Sequence, residues 1–167
     1  MSTNPKVLVP LAEGFEEIET VCIIDLLRRV EAEVVVASIM GKDKNLTILG
    51  RSGIKMEADA YFEDIQNDEY DLIACSGGIK NADSMGAHKA LVAKIKNQRD
   101  QGKWFSAICA APKKVLDDNG LLEGYNATSH PALPLTDYKF GEQRVVVDRN
   151  LITSRGPGNF FAKSKHT

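Results

Sequence analysis

A chain of 167 residues, 43% hydrophobic and 26% charged, can bury one ordinary core and is too short for two. Its net charge of -2 and pI near 5.9 come with scattered cations, and the one basic cluster is Lys163, Lys165 and His166. There is no strong nucleic-acid signal in that pattern. No run approaches the roughly 20 apolar residues of a membrane helix, and residues 7–11 are too few for a signal-peptide core, so no membrane partner and a cytoplasmic location are expected.

Residues 6–11 read as a buried strand. Residues 16–30 follow with helical periodicity and three early glutamates, and residues 33–39 return to β-branched types. Strand, helix, strand within about 35 residues is the βαβ pattern of a parallel sheet. Residues 45–49 and 53–56 are weaker strand candidates, a hairpin or an edge excursion. Residues 71–75 form a third core strand that runs into Ser76-Gly77-Gly78. A helix over 87–101 ends at Gly102, a fourth core strand spans 104–108, and a helix over 110–119 stops at Gly120. Late strands over 144–147 and 151–153 are joined by turn residues. With no internal repeat, low-complexity tract or linker, the reading is one doubly wound α/β sandwich.

Sites in such sheets form where strands end and helices begin. Three junctions stand out: residues 12–19, 76–81 and 109–112. The last carries Cys109 at a strand-to-helix turn, followed by Ala110, Ala111 and Pro112. A nucleophile elbow has this form, and a helix start favours a thiolate, so the thiol is expected to ionise more readily than a free one. The plainer alternative is a core cysteine at a helix start. Cys22 reads as core and Cys75 as a strand-end residue without a role; three cysteines without C-x-x-C or zinc spacing indicate neither a disulfide framework nor a metal site.

Glu19 lies in line with Cys22, Ile23, Leu26 and Val30 on one helix stripe, which places it partly buried beside the sheet. Glu16 and Glu17 are expected to be solvated. Protonated, Glu19 donates to a thiolate; ionised, it raises the thiol pKa by repulsion. The alternative is a carboxylate that merely caps N–H groups. Gly77 and Gly78 suit either an oxyanion hole or an ordinary turn, and no phosphate loop is present. His130 is a base, an orienter or a structural histidine; His88 and His166 have less to recommend them.

Taken in order, residues 12–21 (AEGFEEIETV), Ser76-Gly77-Gly78, residues 107–112 (AICAAP), Ser129-His130-Pro131 and residues 151–158 (LITSRGPG) resemble the ThiJ/PfpI superfamily, in its parkinsonism-associated deglycase (DJ-one) branch. The resemblance implies a flavodoxin-like, class I glutamine amidotransferase-like sandwich: a mainly parallel sheet with helices on both faces, usually homodimeric. It puts the family's reactive cysteine on Cys109, its glutamate on Glu19 and its histidine on His130. Oxyanion donors fall on Gly78 and Ala110, and pocket arginines, partly across the dimer, on Arg29, Arg51 and Arg155. Proteases of the superfamily have a histidine directly after the cysteine; Ala110 stands there instead.

The implied activity is therefore glyoxalase or deglycase chemistry on methylglyoxal-type dicarbonyls or their adducts, with no metal or organic cofactor. The alternatives are a peroxide sensor whose Cys109 oxidises to sulfinic acid, and a redox-regulated chaperone. Two departures stand out. Ser76 replaces a common proline, which is expected to loosen the turn. After Gly158 the family continues into an apolar helix, whereas residues 159–167 are too few and too basic to replace it. A single ThiJ/PfpI-type domain over residues 1–167, lacking that helix, would leave part of one sheet face uncovered or sealed by a partner, with lower stability or altered oligomerisation.

Overall fold

Strand β1 (Lys6–Leu11) sets the frame: beyond Lys6 every residue of KVLVPL is buried, so it must lie inside a sheet covered on both faces. In the computed structural model, which describes residues 4–136 and 143–159, that sheet has seven strands. In chain order the elements are β1, α1 (Glu17–Arg29), β2 (Glu33–Ser38), β3 (Thr47–Leu49), β4 (Lys55–Glu57), β5 (Ala60–Tyr61), α2 (Phe62–Ile65), β6 (Leu72–Cys75), α3 (Ile79–Ala87), α4 (Lys89–Asp100), β7 (Trp104–Ile108), a π-type helix α5 (Pro112–Asp117), β8 (Val145–Asp148) and β9 (Leu151–Ser154).

The strand order is β5-β2-β1-β6-β7-β9-β8, and β3 and β4 form a separate antiparallel hairpin. All pairings in the large sheet are parallel except β8 with β9. Alternation along β1 divides the core. Val7, Val9 and Leu11 join Val34, Val36 and Ile24 of α1 on one face, and Leu8 joins Ile73, Phe105, Leu91, Ile95 and Leu116 on the other. This is the flavodoxin-like sandwich that the sequence implies. On the α1 side, β7 and β8 carry Trp104, Val145 and Val147 at 43%, 48% and 62% exposure.

Several expectations are corrected. Helix α3 and the short β5–α2 pair were not foreseen. The helix expected over 87–101 starts at Lys89 because His88 caps it, its Nδ1 accepting the Leu91 N–H at 3.2 Å. The helix expected over 110–119 is wound wide: the Asp118 N–H bonds the Lys113 carbonyl five residues back. On α1 the buried positions are Glu17, Glu19, Thr20 and Ile24, whereas Leu26 and Val30 are 55% and 69% exposed. The stripe predicted through Glu19 is therefore not the face that packs on the sheet. Nor are Glu16 and Glu17 solvated: both are buried, Glu16 as the N-cap accepting the Glu19 N–H at 2.8 Å and Glu17 accepting the Ser52 N–H at 2.6 Å. Residues 160–167, with the basic cluster and most of the segment tied to the missing helix, lie outside the described residues.

Candidate active site

Beyond the carboxyl end of β1 the chain turns to one side to build β2, while β6 lies on the other side, so a crevice opens between their loops. Cys109 follows β7 beside it, with φ +62. That left-handed conformation costs a residue with a Cβ about 1–2 kcal/mol. Two bonds hold it: the Cys109 N–H donates to the Ser154 carbonyl and the Cys109 carbonyl accepts the His130 N–H, each at 2.9 Å. The side chain is thereby projected off the strand end, as a nucleophile elbow requires. The Gly78 and Ala110 N–H groups face Sγ and favour its thiolate.

Glu19 is wholly buried behind the thiol. Its Oε2 accepts the Gly77 N–H at 2.7 Å, its carboxyl and the Cys109 side chain both lie against Gly77, and its Oε1 has no partner among the described residues. Burial pushes the carboxyl up to about 7, against the opposing pull of the Gly77 N–H and Cys109. Burial, and then the Glu19 charge, push the Cys109 thiol up to about 12, while the Ala110 and Gly78 N–H groups pull it down. This corrects the expectation of a readily ionised thiol: the helix start favours the thiolate, but desolvation and a neighbouring carboxylate outweigh it. The two groups titrate as a unit. One proton leaves near neutrality and the second is retained to high pH.

The glycine pair is required sterically. A Cβ at Gly77 would stand 2.4 Å from Glu19 Oε2 and 2.7 Å from Cys109 Cβ; one at Gly78, where φ is +87, would stand 2.1 Å from the Gly14 carbonyl oxygen. Cys109, Gly78 and Ala110 line a cavity of about 710 Å³ together with Arg51 and His130. Arg51 arrives on the β3–β4 turn, which is fastened to the start of α1: the Gly14 N–H donates to the Leu49 carbonyl at 2.8 Å and the Arg51 N–H to the Phe15 carbonyl at 3.0 Å. The His130 ring accepts the Ala132 N–H at Nδ1, 3.2 Å away, which leaves Nε2 for any exchange with a ligand. Among the described residues no group of three His, Cys, Asp or Glu side chains is placed to hold a metal ion, and no helix is long and apolar enough to cross a membrane.

Residues 5–165 match the DJ-1/PfpI family. The chain belongs to it. DJ-1 homolog B of Arabidopsis thaliana is 43% identical over 157 residues, which are 93% of this chain but only 35% of that protein. The chain thus spans about a third of that plant relative. A Pyrococcus abyssi protein named a deglycase is 30% identical over 161 residues, 94% of this chain and 93% of its own length. The solved structure of oxidised Toxoplasma gondii DJ-1 superposes with a TM-score of 0.87 at 41% identity, covering 93% of this chain and 84% of that one.

On this DJ-1/PfpI frame the other two arginines stay out of the cavity lining. Arg29 pairs with Asp25 at 2.7 Å on the exposed side of α1. Arg155 is half-buried, one residue before Gly156, where a Cβ would lie 3.9 Å from Cys109 Sγ. Two residues that the sequence did not single out are central. Lys80 lines the cavity. Asn81, wholly buried, accepts the Ala12 N–H at 2.8 Å and donates to the Ser76 and Gly77 carbonyls at 3.2 and 3.0 Å. It ties the end of β1 to the turn after β6. The looser turn expected from Ser76 does not result, because Thr20 Oγ1 donates to Ser76 Oγ at 2.9 Å and Asn81 secures its carbonyl. Only the position of Lys80 and Asn81 just after the glycine pair pointed to either.

Proposed function

We propose that this chain is a cofactor-independent glyoxalase or deglycase that acts on methylglyoxal-type dicarbonyls, or their amine adducts, through Cys109. The observation that carries the reading is the strained Cys109 elbow, its Sγ facing the Gly78 and Ala110 N–H groups and a buried Glu19 at the edge of a cavity. A relative named a deglycase supports it. At neutral pH the pair keeps its one proton on the Cys109 sulfur, and the Glu19 carboxylate takes that proton as the sulfur attacks. The sulfur adds to the aldehyde carbon, and the new oxyanion takes the two N–H donors. Glu19 gives its proton to the oxyanion, and the carboxylate so freed carries the carbon-bound proton to the neighbouring ketone carbon while the hydroxyl proton passes to the ketone oxygen, so that the ketone becomes an alcohol and the hemithioacetal a thioester. Water cleaves the thioester to lactate and restores Cys109. Dicarbonyl plus water equals hydroxy acid, so no outside oxidant or reductant enters.

The test is lactate production from methylglyoxal by the intact protein, Cys109→Ser and Glu19→Gln. Saturable turnover lost in Cys109→Ser supports the reading; turnover that survives Cys109→Ser overturns it. A second reading, a peroxide sensor, is favoured by the unpartnered Glu19 Oε1 beside the thiol, which is free to hydrogen-bond an oxygen added to sulfur. Stoichiometric oxidation of Cys109 without aldehyde turnover would select it.

Exposed Ile18 and Val21 on α1, and exposed Leu49 and Ile54 on the hairpin that backbone bonds fasten to the loop before α1, are apolar side chains suited to a second copy of the chain. Sedimentation of Val21→Asp as a smaller species than the parent would support a homodimer formed through these side chains. Unchanged sedimentation would exclude this surface.

A further inference from the structure

Among the described residues, the charged side chains lining the Cys109 cavity are Arg51 and Lys80, both cationic, and the other walls include Ile79, Ala132 and Leu133. Lys80 stands in the first turn of α3, a helix start without an acidic residue or a side-chain cap. The helix dipole disfavours a cation there, so Lys80 does not serve the helix that carries it. Its stem lies across Gly14, which makes room by having no side chain: with φ at +76, a Cβ there would stand 2.7 Å from Lys80 Cβ. The ammonium is held at 2.6 Å by Glu13, outside the cavity lining. The hydrogen bond and charge of Lys80 hold the Glu13 carboxyl below its ordinary range. The Lys80 and Glu13 side chains are 68% and 44% exposed. An exposed pair of this kind is weak, so a second carboxylate can displace Glu13 at small cost.

We propose that Lys80 is a specificity residue that selects carbonyl substrates bearing a carboxylate, releasing Glu13 to bind that group while the carbonyl sits at Cys109. The proposal rests on the reading of Cys109 as the reacting group. It makes carboxylated 2-oxoaldehydes and their adducts the preferred class, with methylglyoxal a smaller substrate that forgoes the contact.

The test compares alkylation of Cys109 by iodoacetate and iodoacetamide, which differ in a carboxylate against an amide and both form an S–C bond with loss of iodide. The ratio of the two rates cancels general effects on the thiol. Lys80→Gln is expected to lower the iodoacetate-to-iodoacetamide ratio about fivefold, the attraction of unit charges about 4 Å apart in a water-like medium. Glu13→Gln, which frees the ammonium, is expected to raise it, and Lys80→Arg to keep it. High salt is expected to flatten the differences. A ratio that stays the same in both Lys80→Gln and Glu13→Gln overturns the proposal. The measurement needs no turnover. A ratio that responds to Lys80 in a protein inactive on 2-oxoaldehydes and on their amine adducts would therefore sink the enzymatic reading and leave the anion selectivity standing. Turnover with an unresponsive ratio would do the reverse.

Discussion

Replacing Glu19 with glutamine should make the protein more stable above neutral pH. The carboxyl is wholly buried and pushed up to about 7 from an ordinary value of 4.5. The folded state therefore binds its proton more tightly than the unfolded state does. Below pH 4.5 the group is protonated in both states and costs nothing; between 4.5 and about 7 its ionisation increasingly opposes folding, and above that the cost is complete. A rise of this size corresponds to about 3 kcal/mol. Glutamine keeps an oxygen for the Gly77 N–H and adds an amide donor facing Cys109, without the charge. Urea denaturation of both proteins from pH 4.5 to 8 reads the difference. Carboxylates held low by their partners, such as Asp100 beside Lys96 and Asp148 beside Asn126, act in the opposite direction but cancel in the comparison. The gap should open in favour of Glu19→Gln by about 3 kcal/mol across that range. Parallel curves, with no pH-dependent gap, would refute the claim that Glu19 is buried at a cost.

Gly77→Ala should slow Cys109 alkylation by roughly a hundredfold, since its Cβ overlaps Glu19 Oε2 and Cys109 Cβ and must displace one of them; an unchanged rate would mean the pair is not held as described. Asn81→Leu strands the buried Ala12 N–H and the Ser76 carbonyl and leaves the Gly77 carbonyl with the Glu16 N–H alone. It should cost about 3 kcal/mol, a fall of roughly 10 °C in Tm by calorimetry. Peptide mapping after brief alkylation of the native protein should find Cys75 unmodified, its thiol buried and pushed up to about 12; labelling of Cys75 at the rate of a free thiol would contradict its burial.

The sheet was legible because its central strands are runs of apolar and β-branched residues too short for helices, bounded by glycines and charges. Residues 6–11 and 104–108 are bounded in the structure as read. Helix α3 was not legible, because IKNADSMGA offers little apolar rhythm and opens on glycines that signal a turn. With it went Lys80 and Asn81, whose importance comes from what β1 and its loop bring against them across the switch point. Glu19 was expected to be buried from a stripe containing Leu26 and Val30, which lie in solvent. Its burial comes instead from the loops of β6 and β7 closing over the start of α1. The sign of the thiol shift depended on the same contact, since local sequence shows the helix start next to Cys109 but not the carboxylate folded in beside it.

The pinned backbone at Cys109 has an evolutionary corollary. Glycine or asparagine would sit more comfortably at φ +62, and glutamine would sit more comfortably than glutamate in the pocket beside it. A lineage selected only for thermal endurance would therefore drift toward losing both halves of the reactive pair, and would gain stability at each step. An inert descendant of this fold would be expected to be its sturdier cousin.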